Sequence, residues 1–182
     1  MSIYQKCIPD AYYASIFEIR YETLKKQGIT SLFFDLDNTI IGYDEDVLSE
    51  KHVAFFKNLQ KEFNLLVISN TSYKRVSSAL MNLDVPFVWH AAKPLKFGFR
   101  KGLKILQAKK ENVLVIGDQL MTDIYGSKRM GFKAFLVAAV KRKSDRKLTK
   151  INRRIEKRIL EKIKKKMPDV YEERLRAYVE SY

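Results

Sequence analysis

The sequence has little of what secreted, fibrous or membrane-spanning proteins require. Its one cysteine, Cys7, excludes an internal disulfide and indicates a reducing, intracellular setting. Seven glycines and four prolines in 182 residues exclude a collagen-like repeat. No apolar run approaches the roughly 20 residues of a membrane-spanning helix, and the first residues lack the apolar stretch of a signal peptide. We therefore expect a cytoplasmic protein, with peripheral contact at the inner face of a membrane as the alternative.

The composition that remains is typical of a globular domain. Hydrophobic residues make up 46% of the chain and charged residues 31%, which excludes wholesale disorder. A chain of this length fits one domain. We predict one domain over residues 1–182, with a helical lead-in at 1–30, a central core at 31–140 and a basic helical extension at 141–182.

Five short apolar runs recur along the chain, and segments with helical periodicity separate them. Uninterrupted apolar runs are typical of strands covered on both faces. Strands that alternate with helices predict a parallel sheet with right-handed crossovers. We therefore predict an α/β protein with a three-layer α/β/α, Rossmann-like fold. The predicted strands cover 31–35, 65–69, 87–90, 112–117 and 133–138, and the predicted helices cover 49–62, 72–82, 95–109 and 119–130, with Ser49 and Ser72 as N-caps.

The lead-in has helical periodicity of its own. Four apolar residues would share one face of a helix, and Gly28 would end the segment before the first strand. The four apolar residues are Tyr12, Ile16, Ile19 and Leu24.

Most of the positive charge lies near the C-terminal end. The net charge is +14, and residues 141–166 alone hold 14 Lys and Arg against three Asp and Glu. Apolar residues at spacings of three and four within this segment predict a basic amphipathic helix. They are Leu148, Ile151, Ile155, Ile159 and Ile163.

Three roles are open for this basic helix. Its apolar stripe can dock on the domain while the lysines stay in water. Its charge can instead bind an anionic membrane surface or, non-specifically, the phosphate backbone of a nucleic acid. Nucleic acid is less favoured, because no aromatic ladder interleaves with the basic residues.

Acidic pairs follow two of the predicted strands. Asp35 and Asp37 follow the first strand, and alternation along an extended chain would project both to the same side. Asp118 and Asp123 follow the fourth strand. Ligands of parallel α/β sheets bind beyond the carboxyl ends of the strands. Close carboxylates repel unless a cation lies between them, and Mg²⁺ prefers such oxygen ligands.

Groups that bind anions follow the other two central strands. Ser69 and Asn70 stand immediately before a predicted helix, where a hydroxyl and backbone N–H groups can cradle an anion. Lys93 follows the third strand and can neutralise phosphate oxygens. Each feature alone has a plain structural explanation, as a turn, a helix cap or a solvated lysine. Four such features at strand ends, in one chain order, favour a functional site.

This ordered set resembles the haloacid dehalogenase (HAD) phosphatase superfamily. Longer segments such as SNTSYKRV, PFVWHAAKP and NRRIEKRIL resemble the bacterial YqeG family of subclass IIIA, and the resemblance extends from about residue 7 to 167. One similar branch comprises mitochondrial phosphatidylglycerophosphate phosphatases. The motifs are DxDx[TV] at residues 35–39, Ser69 in VISN, Lys93, and GDxxxxD at residues 117–123.

The resemblance implies a role for each of these residues. Asp35 would be the nucleophile that forms an aspartyl-phosphate, and Asp37 would protonate the leaving group and later activate water. Lys93 would steady Asp35 and hold the transferring phosphoryl group. The other substrate-binding residues would be Thr39, Ser69 and Asn70, and the metal-binding residues for Mg²⁺ would be Asp35, Asp37 through its backbone carbonyl, Asp118 and, in support, Asp123.

The spacing of the motifs indicates what kind of substrate the site can accept. Only the 29 residues at 40–68 lie between Thr39 and Ser69, and one helix and one strand use most of them. The chain therefore has no room for a cap domain, and an uncapped site favours a substrate whose bulk stays outside. We expect a phosphorylated substrate and favour a phospholipid, phosphatidylglycerophosphate. The alternatives are a nucleotide or nucleic-acid end phosphatase, and an RNA- or ribosome-associated binding protein with vestigial catalysis.

Overall fold

A computed structural model describes residues 2–141 and 147–181. Its centre is a six-stranded, fully parallel sheet with the strand order β1-β6-β5-β2-β3-β4. Helices cover both faces, so the predicted three-layer α/β/α fold is confirmed. The strands are β1 (Ala11–Tyr13), β2 (Ser31–Phe34), β3 (Asn64–Ile68), β4 (Phe87–Val88), β5 (Val113–Gly117) and β6 (Lys133–Val137).

Nine α-helices connect and follow these strands in the described residues. Short 3-10 helices at Ile16–Glu18 and Lys110–Asn112 and a π-helical turn at Leu120–Ile124 complete the regular structure. The helices are α1 (Ile3–Lys6), α2 (Tyr21–Lys26), α3 (Glu50–Leu59), α4 (Tyr73–Ala79), α5 (Lys96–Leu106), α6 (Tyr125–Met130), α7 (Lys147–Lys166), α8 (Pro168–Arg174) and α9 (Arg176–Glu180).

The strands bury both of their faces, as their continuous apolar runs predict. Leu32 and Phe34 of β2 pack into a core that α2, α3 and α4 cover. Phe33, between them, points to the opposite face, where it belongs to a second core together with Phe99 of α5. The same alternation along β3 and β5 fills two cores, one on each side of the sheet.

The prediction of strands and helices is confirmed for residues 31–137 with small shifts at the ends. All five predicted strands are present, and one helix lies between β2 and β3 with no inserted domain. Ser49 and Ser72 cap α3 and α4, because their hydroxyls accept the backbone N–H groups of His52 and Arg75. Residues 119–130 form the π-helical turn followed by α6 rather than one continuous helix.

Of the predicted helical lead-in over residues 1–30, α1 and α2 are helical, but the stretch between them is not one continuous helix. Residues 11–13 form the edge strand β1, which pairs in parallel with β6. Pro9 cannot continue a helix, and the carboxylate of Asp10 accepts the backbone N–H of Ala134, which draws the chain along β6. Tyr12 therefore faces away from Tyr13, and the two side chains enter different cores. Gly28 does follow α2 with a positive φ of 78°, as expected.

The basic segment forms α7, and its inward face docks on the domain. The buried face is rotated by about one residue from the predicted face. Glu156, Leu160 and Ile163 are buried, whereas Ile155 is 40% exposed. Ile159 is half-buried against the same core. Leu148 and Ile151, which the prediction places on the same face, lie outside the part of α7 whose side chains the structure describes. In the described residues, no helix is both long and apolar enough to cross a membrane.

A close approach of α5 to the sheet generates a stability prediction. A Cβ atom on Gly102 would lie 2.7 Å from Cε2 of Phe33 and 2.8 Å from Cδ2 of Leu66, both of which are fully buried. We expect Gly102→Ala to lower the free energy of unfolding by about 1–3 kcal/mol through overpacking, despite the better helix propensity of alanine.

Denaturant unfolding measures this change. Lys104→Ala, an exposed change on the same helix, is the control and should stay within about 0.5 kcal/mol of the unchanged protein. A Gly102→Ala protein at least as stable as the unchanged one would contradict the close approach.

Candidate active site

The carboxyl ends of the central strands bring the predicted residues to one edge of the sheet. Asp35 directly follows β2, and its backbone N–H donates to the carbonyl of Ile116 in β5 at 2.9 Å. Ser69 directly follows β3, and its N–H donates to Val88 of β4 at 2.9 Å. Asp118 directly follows β5. Parallel pairing thus aligns residues that are far apart in sequence.

Lys93 lies at the centre of this edge. Its Nζ atom is 2.6 Å from Oδ1 of Asp35 and 2.6 Å from Oδ1 of Asp123. All three side chains are almost completely buried. Charge-assisted hydrogen bonds of this length are strong where water is excluded, so the ammonium fixes two carboxylates that belong to different loops.

Burial and neighbouring charge shift the titration of both partners. Burial raises the pKa of the Asp35 carboxyl well above its usual range, with Asp123 and Asp118 adding to the rise and Lys93 opposing it. Burial would lower the pKa of Lys93, but the charges of Asp123 and Asp35 outweigh it and raise that pKa. The edge therefore concentrates more negative charge than its ammonium can balance.

Three carboxylates form a cluster that suits a hard cation. Asp35, Asp118 and Asp123 each offer an oxygen, and these oxygens lie within 4.8 Å of one another. The hydroxyl of Thr39 lies 3.3 Å from Oδ2 of Asp35 and 3.5 Å from Oδ1 of Asp118. Against the ammonium of Lys93, three ionised carboxylates leave two negative charges in excess, which a divalent cation would neutralise. The donor set thus fits a divalent metal.

The loop after β5 is built tightly around Asp123. A Cβ atom on Gly117 would lie 2.4 Å from Cγ of Asp123, so only glycine fits there without displacing that carboxylate. Oδ2 of Asp123 also accepts the backbone N–H of Gln119 at 3.1 Å and the hydroxyl of Thr122 at 3.3 Å. Asp123 is thereby held toward Lys93.

The side chain of Asp37 lies apart from the acidic cluster. Its Oδ1 accepts Nε of Arg75 at 3.0 Å, and both side chains are less than 10% exposed. The guanidinium also donates to the carbonyls of Gly42 and Glu45 in the loop after β2. Arg75 therefore holds Asp37 and this loop together, and only the backbone carbonyl of Asp37 is left as a candidate metal ligand.

The predicted anion-binding residues complete the edge. Asn70 fixes the backbone of Lys93 in both directions, because its Nδ2 donates to the Lys93 carbonyl at 2.9 Å and its Oδ1 accepts the Lys93 N–H at 2.7 Å. The hydroxyl of Ser69 is buried and accepts the N–H of Thr71 at 3.3 Å. Asn70 thus acts on Lys93, whereas Ser69 lies at the start of the loop that leads to α4.

Three further residues contact this site and were not predicted from the sequence. Arg75 is one of 35 lysines and arginines, so its sequence position carried no distinguishing signal. Glu156 and Tyr178 contact the loop of Asp118 from behind. The sequence offers one signal for Glu156, which is that an acidic residue stands inside a basic segment. The thiol of Cys7 is not a candidate nucleophile. Burial and the charge of Glu156 raise its pKa to about 12, which keeps the thiol protonated.

Comparison with known proteins identifies the family of this chain. The family model of haloacid dehalogenase-like hydrolases matches residues 5–131. The "Probable phosphatase YqeG" of Bacillus subtilis is 34% identical over 160 residues, which cover 87% of this chain and 92% of that protein.

Two solved structures are similar to this chain, and the first of them shares its architecture. A crystal structure of a Listeria monocytogenes serotype 4b protein is similar with a TM-score of 0.50 and 19% identity, covering 63% of this chain and 84% of that one. A Legionella pneumophila structure described as a HAD superfamily (subfamily III A) hydrolase has a TM-score of 0.44 and 16% identity, covering 54% of this chain and 60% of that one. On the family model and the Bacillus relative together, the chain belongs to the haloacid dehalogenase-like hydrolases.

Proposed function

We propose that this protein is a Mg²⁺-dependent phosphatase that hydrolyses a phosphomonoester through an aspartyl-phosphate on Asp35. The observation that carries the proposal is the buried contact of Lys93 with Asp35 and Asp123 at 2.6 Å, inside a cluster of three carboxylates. The 34% identity to a protein named as a phosphatase supports the reaction class.

The residues account for both steps of the reaction. A carboxylate oxygen of Asp35 attacks phosphorus, and the bond from phosphorus to the leaving oxygen breaks as protonated Asp37 gives that oxygen its proton. In the second step Asp37 takes a proton from water, the water oxygen attacks phosphorus, and the bond to Asp35 breaks. Inorganic phosphate leaves, and Asp35 and Asp37 return to their starting states.

The remaining groups bind and neutralise the phosphoryl group. Lys93 supplies a fixed positive charge, which the loose transition state of phosphoryl transfer requires. We also assign substrate binding to the hydroxyl of Thr39 beside Asp35, to the hydroxyl of Ser69 and to Asn70, which holds the backbone of Lys93.

We assign the metal to the acidic cluster. Asp35, Asp118 and the backbone carbonyl of Asp37 would hold Mg²⁺, with Asp123 in support, and the ion would supply further positive charge to the phosphoryl oxygens. The C-terminal helices α7, α8 and α9 pack against the π-helical turn in the loop that carries Asp118 and Asp123. This packing supports a single catalytic unit over residues 1–182.

We further propose a lipid substrate, phosphatidylglycerophosphate, at an anionic membrane surface. One support is the absence of an inserted cap domain between β2 and β4. The other is a set of exposed apolar side chains on the loops and helix starts beyond the carboxyl ends of the strands, which we name the apolar rim. The apolar rim comprises Tyr73, Trp89, Leu95, Phe97 and Val140, each between 39% and 65% exposed.

The apolar rim is connected to the proposed catalytic loops through one backbone hydrogen bond, one ring contact and proximity in sequence. The N–H of Val140 donates to the carbonyl of Asn38 at 2.9 Å, beside Asp37. The rings of Tyr73 and Trp89 lie 6.0 Å apart, centroid to centroid. Leu95 follows Lys93 by two residues. Exposed apolar groups that surround a site in this way are typical of a surface that meets another apolar phase.

Positive charges flank the apolar rim and suit anionic lipid headgroups. Lys74 and Lys101 are exposed, and Nζ of Lys101 lies 5.7 Å from the ring centroid of Trp89. Nearby acidic residues are partly neutralised, since Asp44 pairs with Lys141 and Asp46 lies 3.7 Å from Arg75. Clustered cations at a membrane surface contribute about 1 kcal/mol each.

The first prediction concerns the nucleophile and the metal. We expect Asp35→Asn to reduce phosphate release from p-nitrophenyl phosphate by about three orders of magnitude or more, because the attacking oxygen is lost. EDTA should abolish the activity of the unchanged protein, and excess Mg²⁺ should restore it. Acid-quenched protein should also carry phosphate in a hydroxylamine-sensitive bond.

Asp84→Asn, an exposed carboxylate, is the control and should keep full activity. Activity retained by Asp35→Asn, or unaffected by EDTA, would refute the proposed chemistry. Absence of phosphate release by both the unchanged protein and the variant would favour a binding protein.

The second prediction concerns Arg75, which positions the proposed general acid Asp37. We expect Arg75→Met to lower kcat/KM for an alkyl phosphomonoester by about tenfold to a hundredfold more than for p-nitrophenyl phosphate. The reason is that p-nitrophenolate leaves without a proton, whereas an alkoxide does not. Asp37→Asn should give the same pattern, and Arg75→Lys should restore part of the loss. Equal losses on both substrates would mean that Arg75 has only a structural role.

The third prediction concerns the apolar rim. We expect the pair Tyr73→Ser and Phe97→Ser to weaken binding to phosphatidylglycerol vesicles by about tenfold or more, because apolar area no longer enters the bilayer. The ratio of activity on vesicle-borne phosphatidylglycerophosphate to activity on p-nitrophenyl phosphate should fall with it.

Two exposed apolar residues far from the apolar rim provide the control, one in the turn just after α4 and one in the last turn of α5. Met81 and Ile105 are 68% and 39% exposed, and the pair Met81→Ser and Ile105→Ser should bind vesicles normally. Equal losses from both pairs would refute the membrane surface. Phosphate release from oligonucleotide ends in place of the lipid would favour the nucleic-acid alternative.

A further inference from the structure

The C-terminal helices α7, α8 and α9 contact the sheet edge that carries the acidic cluster. They pack with β6 and the π-helical turn into one apolar core. Tyr178 of α9 is completely buried in this core, and its ring meets Tyr12 of β1 at 5.8 Å between centroids. The family model ends at residue 131, so these helices lie beyond the part of the chain that it matches.

Two polar groups in this apolar core reach the loop of the acidic cluster. The hydroxyl of Tyr178 lies 3.2 Å from the carbonyl oxygen of Asp118 and 3.2 Å from Oε2 of Glu156. Oε1 of Glu156 in turn accepts the backbone N–H of Met121 at 3.4 Å. The pair thus spans the loop from Asp118 to Met121.

Placing these groups in an apolar core costs free energy. A buried carboxylate is expensive even when it is hydrogen-bonded, and apolar side chains of similar volume often give equal or greater stability. The face of α7 is nevertheless turned so that Glu156 points inward and Ile155 is left 40% exposed. Stability alone does not explain why Glu156 is buried. A need to hold the loop at 118–123 in one position does explain it.

We propose that Tyr178 and Glu156 are positioning residues that fix the loop at 118–123 and thereby set the affinity of the acidic cluster for Mg²⁺. The proposal rests on the proposed function. Asp118 and Asp123 both project from this loop, so the orientation of their carboxylates follows the position of its backbone. Partners behind metal ligands orient them in this way, and their loss weakens metal binding about 10- to 100-fold.

The variant Tyr178→Phe tests the proposal because it removes only the hydroxyl. Titration calorimetry of the metal-stripped full chain with MgCl₂ should give a Kd about 10- to 100-fold higher than for the unchanged protein. The Mg²⁺ concentration for half-maximal activity should rise by the same factor, while kcat at saturating Mg²⁺ recovers. Tyr171→Phe, on α8 in the same core, is the matched control and should leave the Kd unchanged.

Glu156→Gln is the second variant, and it keeps the test decisive if Tyr178→Phe does not fold. It preserves the size of the side chain and an acceptor oxygen, and its Kd should lie between those of the unchanged protein and Tyr178→Phe. Normal Mg²⁺ affinity in both folded variants would overturn the inference alone. Absence of Mg²⁺ binding by the unchanged protein would instead overturn the proposed function. A lower melting temperature with normal affinity would show that the pair serves stability only.

Discussion

The arrangement of this protein depends on the balance of charge at one edge of its sheet. Three buried carboxylates converge there with one buried ammonium, and Lys93 bonds two of the three at 2.6 Å. Like charges at such distances repel strongly once water is excluded. The surrounding structure therefore has to hold them in place, and the contacts of Asn70, Gly117 and Thr39 are explained by this requirement.

The groups that hold the site lie outside the four motifs. Arg75 reaches Asp37 from α4, and Tyr178 reaches the Asp118 loop from α9. Arg75 acts on the carboxylate of Asp37, and Tyr178 acts on the backbone of Asp118. Each orients a residue that we place in the chemistry, and each does so through backbone carbonyls as well as side chains. The loops of the candidate site are thus fixed from two sides, by the neighbouring strands and by the helices α4 and α9.

The sequence predicts much of this because the strong signals are local. Apolar runs of four to six residues locate β2 to β6, and the motif residues follow them directly. Strand β1 was missed because its three residues have no strand pattern of their own and depend on pairing with β6. Arg75 was missed because only the fold places it beside Asp37. The face of α7 was misplaced by one residue because a buried Glu156 contradicts the apolar pattern that the prediction uses.

The edge strand β1 has a consequence for how the chain is made. Its partner β6 ends at Val137, and the ring of Tyr12 packs against the ring of Tyr178. During synthesis on a ribosome, the central strands can pair early, but residues 11–13 must wait until more than a hundred further residues have emerged. Contacts of such long sequence separation form slowly. The last helices therefore join the two ends of the described chain, and folding should finish only after translation reaches them.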